Sequence, residues 1–109
     1  MRVLIDEGID PRVKLLFGDH KVATVHDQGW DTLEAGPLLR LAQQEFDVLL
    51  TVDGSLEFQH NLAKLQIGVI VAHVPKNQLI HYRAIRSELL MAIEQAAPGK
   101  VLHVRTRPL

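Results

Sequence analysis

The stretch LLTVDGS, residues 49–55, carries an apolar run into Asp53, Gly54 and Ser55. Two folds read it differently. Asp-Gly between apolar segments is a type I′ hairpin signal, which would join LLTV to SLEF as antiparallel strands. In the other reading the strand ends at Val52 and a helix opens at Ser55, a good N-cap, with Glu57 in its first turn. Leu56, Phe58, Leu62 and Leu65 recur at helix-like spacing. That spacing favours the second reading: a strand over 47–52 and a helix over 55–66.

The same alternation extends in both directions. RVLI at 2–5 reads as a buried strand. Asp10 and Pro11 then supply an N-cap and a first helical residue, predicting a helix over 10–17 that ends at Gly18. A second strand is expected at 20–26 with Val22, Thr24 and His26 on one face. A polar loop over 27–36 follows, carrying the single tryptophan, Trp30, which is expected to fold back on the core. A helix over 37–46 starts at Pro37 and turns Leu38, Leu41 and Ala42 inward. Residues 67–74, IGVIVAHV, form a fourth apolar run. A long helical pattern covers 78–96, Pro98-Gly99 stops it, and KVLHVR at 100–105 is a fifth strand whose direction is open. Strands alternating with helices predict an α/β fold, a three-layer sandwich around a mostly parallel central sheet of about five strands. The apolar strands suit burial on both faces.

The totals agree with one domain over residues 1–109. At this length a chain buries roughly two-thirds of its unfolded surface, and 47% hydrophobic residues supply the core. Twelve basic against 13 acidic residues give a net charge of −1, so no global field draws the protein to nucleic acid or membrane. The absence of cysteine excludes disulfides, thiolate metal sites and a cysteine nucleophile. No apolar run reaches the ~20 residues of a membrane helix, and MRVLIDEG lacks the apolar length of a signal peptide. A cytoplasmic protein with no membrane partner is expected.

Two strands end in acid: Asp6 and Glu7 after the first, Asp53 after the third. Open α/β sheets build their sites outside the carboxyl ends of the strands. If those strands are neighbours, Asp6 and Asp53 sit side by side and repel, unless a cation lies between them or one takes a proton. Hard oxygen donors select Mg²⁺ or Mn²⁺. Asp6 and Asp53 are therefore the candidate metal ligands. Glu7 points the other way in extended chain and suits an outer or helix-start role. Arg12 and Lys14 follow closely enough to touch a phosphate backbone. In the bland reading, Asp53 is only a cap and Asp6 a coincidence. The six histidines form no HExxH pair, and His26, His73 and His103 near strand ends read as structural or surface groups. Ser55 and Thr51 lack an evident base.

Several stretches together resemble the small PIN-like proteins, compact relatives of PIN-domain nucleases usually predicted to be toxins of bacterial toxin–antitoxin pairs. They are VLIDEGIDPRV, HKVATVHDQGW, LLRLAQQEFDVLLTVD, Asn61-Leu62 and IGVIVAHVP. The resemblance implies a PIN-like fold and metal-dependent RNA cleavage, with Asp6 and Asp53 on acidic family positions and Glu7 following the first. Glu7 or Glu34 would orient the attacking water, and a small antitoxin protein would be the partner. The sequence departs at Gly8, where the family often has Asn, and at Ala35–Leu38, where it commonly has an acid. A module that binds a protein or RNA without cleaving is the alternative. A phospho-acceptor receiver domain would need a lysine after a fifth parallel strand, whereas Lys76 follows the fourth.

Overall fold

The computed structural model describes residues 1–107; the last two positions of the expected 1–109 domain lie outside the described residues. Five short strands form one sheet: β1 Arg2–Ile5, β2 Lys21–Thr24, β3 Val48–Thr51, β4 Gly68–His73 and β5 Val101–Arg105. Their order is β2-β1-β3-β4-β5, and every pair is parallel. The fold is α/β, and the direction left open for the last strand is parallel.

The register explains why the strands read as unbroken apolar runs. Leu4, Leu49, Val69 and Val101 align across the sheet, as do their successors Ile5, Leu50, Ile70 and Leu102. Successive side chains point to opposite faces, so the two rows feed two separate apolar clusters. One contains Ile5, Leu50 and Ile70 with Phe17, Tyr82 and Leu89. The other contains Leu4, Leu49 and Val69 with Leu38, Ala42 and Leu62. All four residues of β3 are buried, which requires cover on both faces.

The connections differ from expectation in detail. LLTV-DG-SLEF is not a hairpin, since Leu56–Gln59 is helical and the next strand, β4, is parallel to β3. The helix expected over 55–66 is two pieces, α2 Leu56–Gln59 and a 3-10 turn Leu62–Lys64, separated by extended backbone at His60. Twelve helical residues would span about 18 Å, whereas returning along a four-residue strand needs only about 13 Å. Phe58 is consequently 85% exposed while Leu62 is buried. The segment expected as a helix over 10–17 is a 3-10 helix, Pro11–Leu16, with Asp10 accepting from the Arg12 N–H.

Helix α1 runs Ala35–Glu45, starting two residues before Pro37. Proline is tolerated there because first-turn N–H groups have no intrahelical partner. Leu39, not Leu41, joins Leu38 and Ala42 in the core. The pattern over 78–96 divides into α3 Leu79–Ala84 and α4 Arg86–Gln95. The break falls at Ile85, whose N–H bonds to the Tyr82 carbonyl at 3.1 Å, a tightened 3-10 turn. Apolar spacing does not reveal this break, because Tyr82, Ile85, Leu89 and Ile93 stay buried through it. Strand β2 is shorter than expected. It ends where Thr24 and Asp27 exchange two hydrogen bonds of 3.0 Å, Thr24 N–H to Asp27 Oδ2 and Asp27 N–H to Thr24 Oγ1. Gly99 makes the turn into β5 at φ +76, with Ala63 O only 2.5 Å from where a Cβ would stand. No helix among the described residues is long and apolar enough to cross a membrane.

Candidate functional site

The chain leaves β1 for β2 on one side and reaches β3 on the other. The crevice between β1 and β3, outside their carboxyl ends, is therefore the topological switch point, where doubly wound sheets bind ligands. A cavity of about 100 Å³ lies there, lined by Asp6, Glu7 and Asp53 and walled by Trp30, Leu33 and Leu56. It has room for several waters or a hydrated ion. Trp30 folds onto the core as expected, meeting Phe46 edge-on at 6.1 Å.

Backbone pairing continues past β1, with the Asp6 N–H donating to the Leu50 carbonyl at 2.9 Å. Asp6 therefore keeps the strand's alternation and projects on the face of Leu4. Its Oδ1 accepts from the Glu7 N–H at 2.8 Å and its Oδ2 from the Thr51 hydroxyl at 2.7 Å. Thr51, fully buried, also accepts from the Asp53 N–H at 3.1 Å. One hydroxyl thus joins the two strand ends. Asp53 Oδ1 accepts from the Ser55 N–H at 3.0 Å and from Ser55 Oγ at 2.6 Å, an Asx turn that opens α2. Its Oδ2 makes no hydrogen bond among the described residues. Asp53 is thus both cap and pocket-lining carboxylate.

Three acids elsewhere meet a basic side chain: Asp10 meets Arg12 at 2.6 Å, Asp27 meets Lys14 and Asp47 meets Arg2, the last two at 3.5 Å. Hydrogen bonds from Arg12 hold the Asp10 carboxyl below its usual range. Neither Asp6, Glu7 nor Asp53 has such a partner among the described residues. The structure thus brings Asp6, Glu7 and Asp53 together. Arg12 and Lys14 are exposed, held by their own acids, and outside the cavity lining. Glu34 is the exposed N-cap of α1, with no side-chain capping bond, and does not line the cavity.

The donor chemistry fits Mg²⁺ or Mn²⁺ better than other ions. No group of three or more His, Asp or Glu side chains is placed to hold a metal among the described residues. A structural zinc site needs four protein ligands. Mg²⁺ keeps several waters and is commonly held by one or two carboxylates together with a substrate phosphate. Asp6 and Asp53 match that smaller demand.

No protein family, curated protein or solved structure shows a significant match to this chain. The sheet order is also that of receiver domains, and β5 is a fifth parallel strand. Arg105, Thr106 and Arg107 stand at its end, so a receiver's lysine is absent there.

One group escaped the sequence reading. His103 Nε2 lies 2.7 Å from Glu57 Oε1, and His103 Nδ1 lies 2.8 Å from His73 Nε2. Burial, aided by the charges of Arg105 and His103 and opposed by Glu57, pushes the His73 imidazole below its usual range. His73 and His103 are 30 residues apart and meet only because β5 is parallel to β4. That direction, had it been legible, was the signal that would have found them.

Proposed function

We propose that this chain is a PIN-like, Mg²⁺- or Mn²⁺-dependent ribonuclease, cytoplasmic, acting as the toxin of a toxin–antitoxin pair with a small antitoxin protein as partner. The observation that carries the hydrolytic reading is the meeting of Asp6 and Asp53 in one switch-point cavity whose lining, among the described residues, holds no basic side chain. RNA as substrate, and the antitoxin, come from the sequence resemblance alone.

Bound there, the ion would activate water and offset charge on a phosphoryl oxygen. Asp6 and Asp53 would hold it. Thr51 fixes Asp6 by its hydroxyl, and Ser55 fixes Asp53 so that Oδ2 stays available. Glu7, exposed at the cavity edge, would orient the attacking water. Arg12 and Lys14 would reach an RNA backbone only by exchanging their present carboxylate partners.

The second reading is a catalytically degenerate PIN-like module that binds a protein or RNA. That no group of three such ligands is found among the described residues supports it.

Calorimetry with Mn²⁺ and an RNA-cleavage assay separate the two. Wild-type protein should bind the ion and cleave. Asp53→Asn should lose at least about 10²-fold in rate at unchanged melting temperature, because an Asn oxygen still accepts both Ser55 bonds. Cleavage by that variant at the wild-type rate would refute the assignment, and absence of Mn²⁺ binding at about millimolar concentration, far weaker than a working site, would favour the degenerate module.

A further inference from the structure

Glu57, His103 and His73 form a hydrogen-bonded chain that the carboxylate pair does not use. Its proton pattern follows from donor chemistry. A carboxylate only accepts, so His103 Nε2 carries a hydrogen. In the state with both rings neutral each imidazole has one such hydrogen, and His103 Nδ1 then accepts while His73 Nε2 donates. The unshared lone pair of the chain then falls on His73 Nδ1. The ring centroids are 5.1 Å apart with 23° between planes. That separation, with nitrogens 2.8 Å apart, sets the rings end to end, the geometry for passing a proton.

The chain stands on the carboxylate face of the sheet. Thr51 aligns with Val71, and Val71 with His103. His73 is two residues beyond Val71 and shares its face, as Asp6 shares that of Leu4. A Cβ on Gly54, the residue after Asp53, would stand 3.9 Å from His73 Cε1. The charged groups around His73 are Glu57 from α2 and His103 and Arg105 from β5; His73 stands beside Gly54, next to but outside the residues that line the cavity. Arg105 aligns with His73 in register and has no carboxylate partner among the described residues. It is a cation free to meet a phosphate.

We propose that His73 is the proton-accepting group of the carboxylate site, backed by His103 and Glu57; this rests on the hydrolytic reading above. An O–H bond of water breaks, its oxygen bonds to phosphorus, and the proton goes to His73 Nδ1. The Nε2 proton of His73 passes to His103 Nδ1, which leaves the positive charge on His103 beside the Glu57 carboxylate. The phosphorus bond to the leaving oxygen breaks, and that oxygen takes a proton from solvent. The relay then returns its proton to solvent. A third group holding and charge-compensating an imidazole base is the logic of hydrolytic triads.

Two measurements on the full chain test this. Nitrogen-15 NMR of the imidazoles, without metal, should find His73 neutral with its hydrogen on Nε2 at neutral pH, and Glu57→Gln should perturb both rings. The opposite tautomer in His73 would overturn the relay. In Mn²⁺-supported RNA cleavage, His73→Gln should lose about 10²- to 10⁴-fold at neutral pH together with the acidic limb of the rate profile, at unchanged Mn²⁺ affinity. If that variant does not fold, the change Glu57→Gln at a half-buried position carries the test by shifting the same limb. Wild-type rate and profile in the folded variant would overturn the relay alone. A wild-type protein that neither binds Mn²⁺ nor cleaves RNA would overturn both readings.

Discussion

Replacing Thr51 by Val keeps the shape of a fully buried side chain and removes one hydroxyl. That hydroxyl donates to Asp6 at 2.7 Å and accepts from the Asp53 N–H at 3.1 Å. A hydrogen bond to a charged group contributes about 1.5–3 kcal/mol. The Asp53 N–H adds less when orphaned, because its residue is exposed and water can replace the lost acceptor. The sum is about 2 kcal/mol. At this chain length each kcal/mol moves the melting temperature by about 4–8 °C, so Thr51→Val should melt about 8–16 °C below wild type. Thr51→Ser keeps the hydroxyl and loses only a methyl, costing about 1 kcal/mol. Thermal unfolding by circular dichroism measures both. A cycle with Asp6→Ala should give a coupling of about 1 kcal/mol, since the two side chains touch. A Thr51→Val protein melting with wild type, or a Thr51→Ser protein falling equally far, would refute the hydroxyl bridge.

Two further outcomes follow from features outside the site. Gly99→Ala would put a Cβ 2.5 Å from Ala63 O at φ +76 and should cost about 1–3 kcal/mol, read as a lower urea midpoint. Asp47 is held below its usual pKa chiefly by the Arg2 N–H, with the Arg2 side chain adding to it. A depressed carboxylate adds stability above its unfolded value of about 3.9 and loses it as pH falls through the lower folded value. Asp47→Asn should therefore flatten the loss of stability below about pH 4, measured by urea unfolding across pH, and a slope like that of wild type would count against the pairing.

The sheet was legible because burial on both faces leaves a signature that survives without neighbours. Runs such as VLLT and GVIVA have no polar face to show. The meeting of Asp6 and Asp53 was legible for a related reason: the switch-point rule needs only the identity of neighbouring strands. The helices were harder. The spacing of Leu56, Phe58, Leu62 and Leu65 fits one helix, yet the short strand it returns along leaves no room for one. Spacing records which residues face inward but not how far the chain must travel. Thr51 is not legible as part of the site, because in sequence its hydroxyl shows only as a nucleophile without a base, while its role is to join two strand ends. Glu57, His103 and His73 were beyond reach because their contacts are set by the register of β5, which nothing local to any of them specifies.

Strand β5 has a consequence beyond its histidine. Without it β4 would be the border of the sheet, and five consecutive buried residues of β4, Gly68 to Ala72, would offer unpaired backbone groups on a flat apolar ribbon. Such borders recruit strands from other molecules. Strand β5 is the last to be synthesised, and among its residues only Val104 is buried, with His103 and Arg105 turned to solvent. It works as a hem: a polar margin that closes the sheet against its own copies. Until β5 docks, the other four strands hold the carboxylate pocket beside an open seam, and closing that seam is what the fifth strand adds.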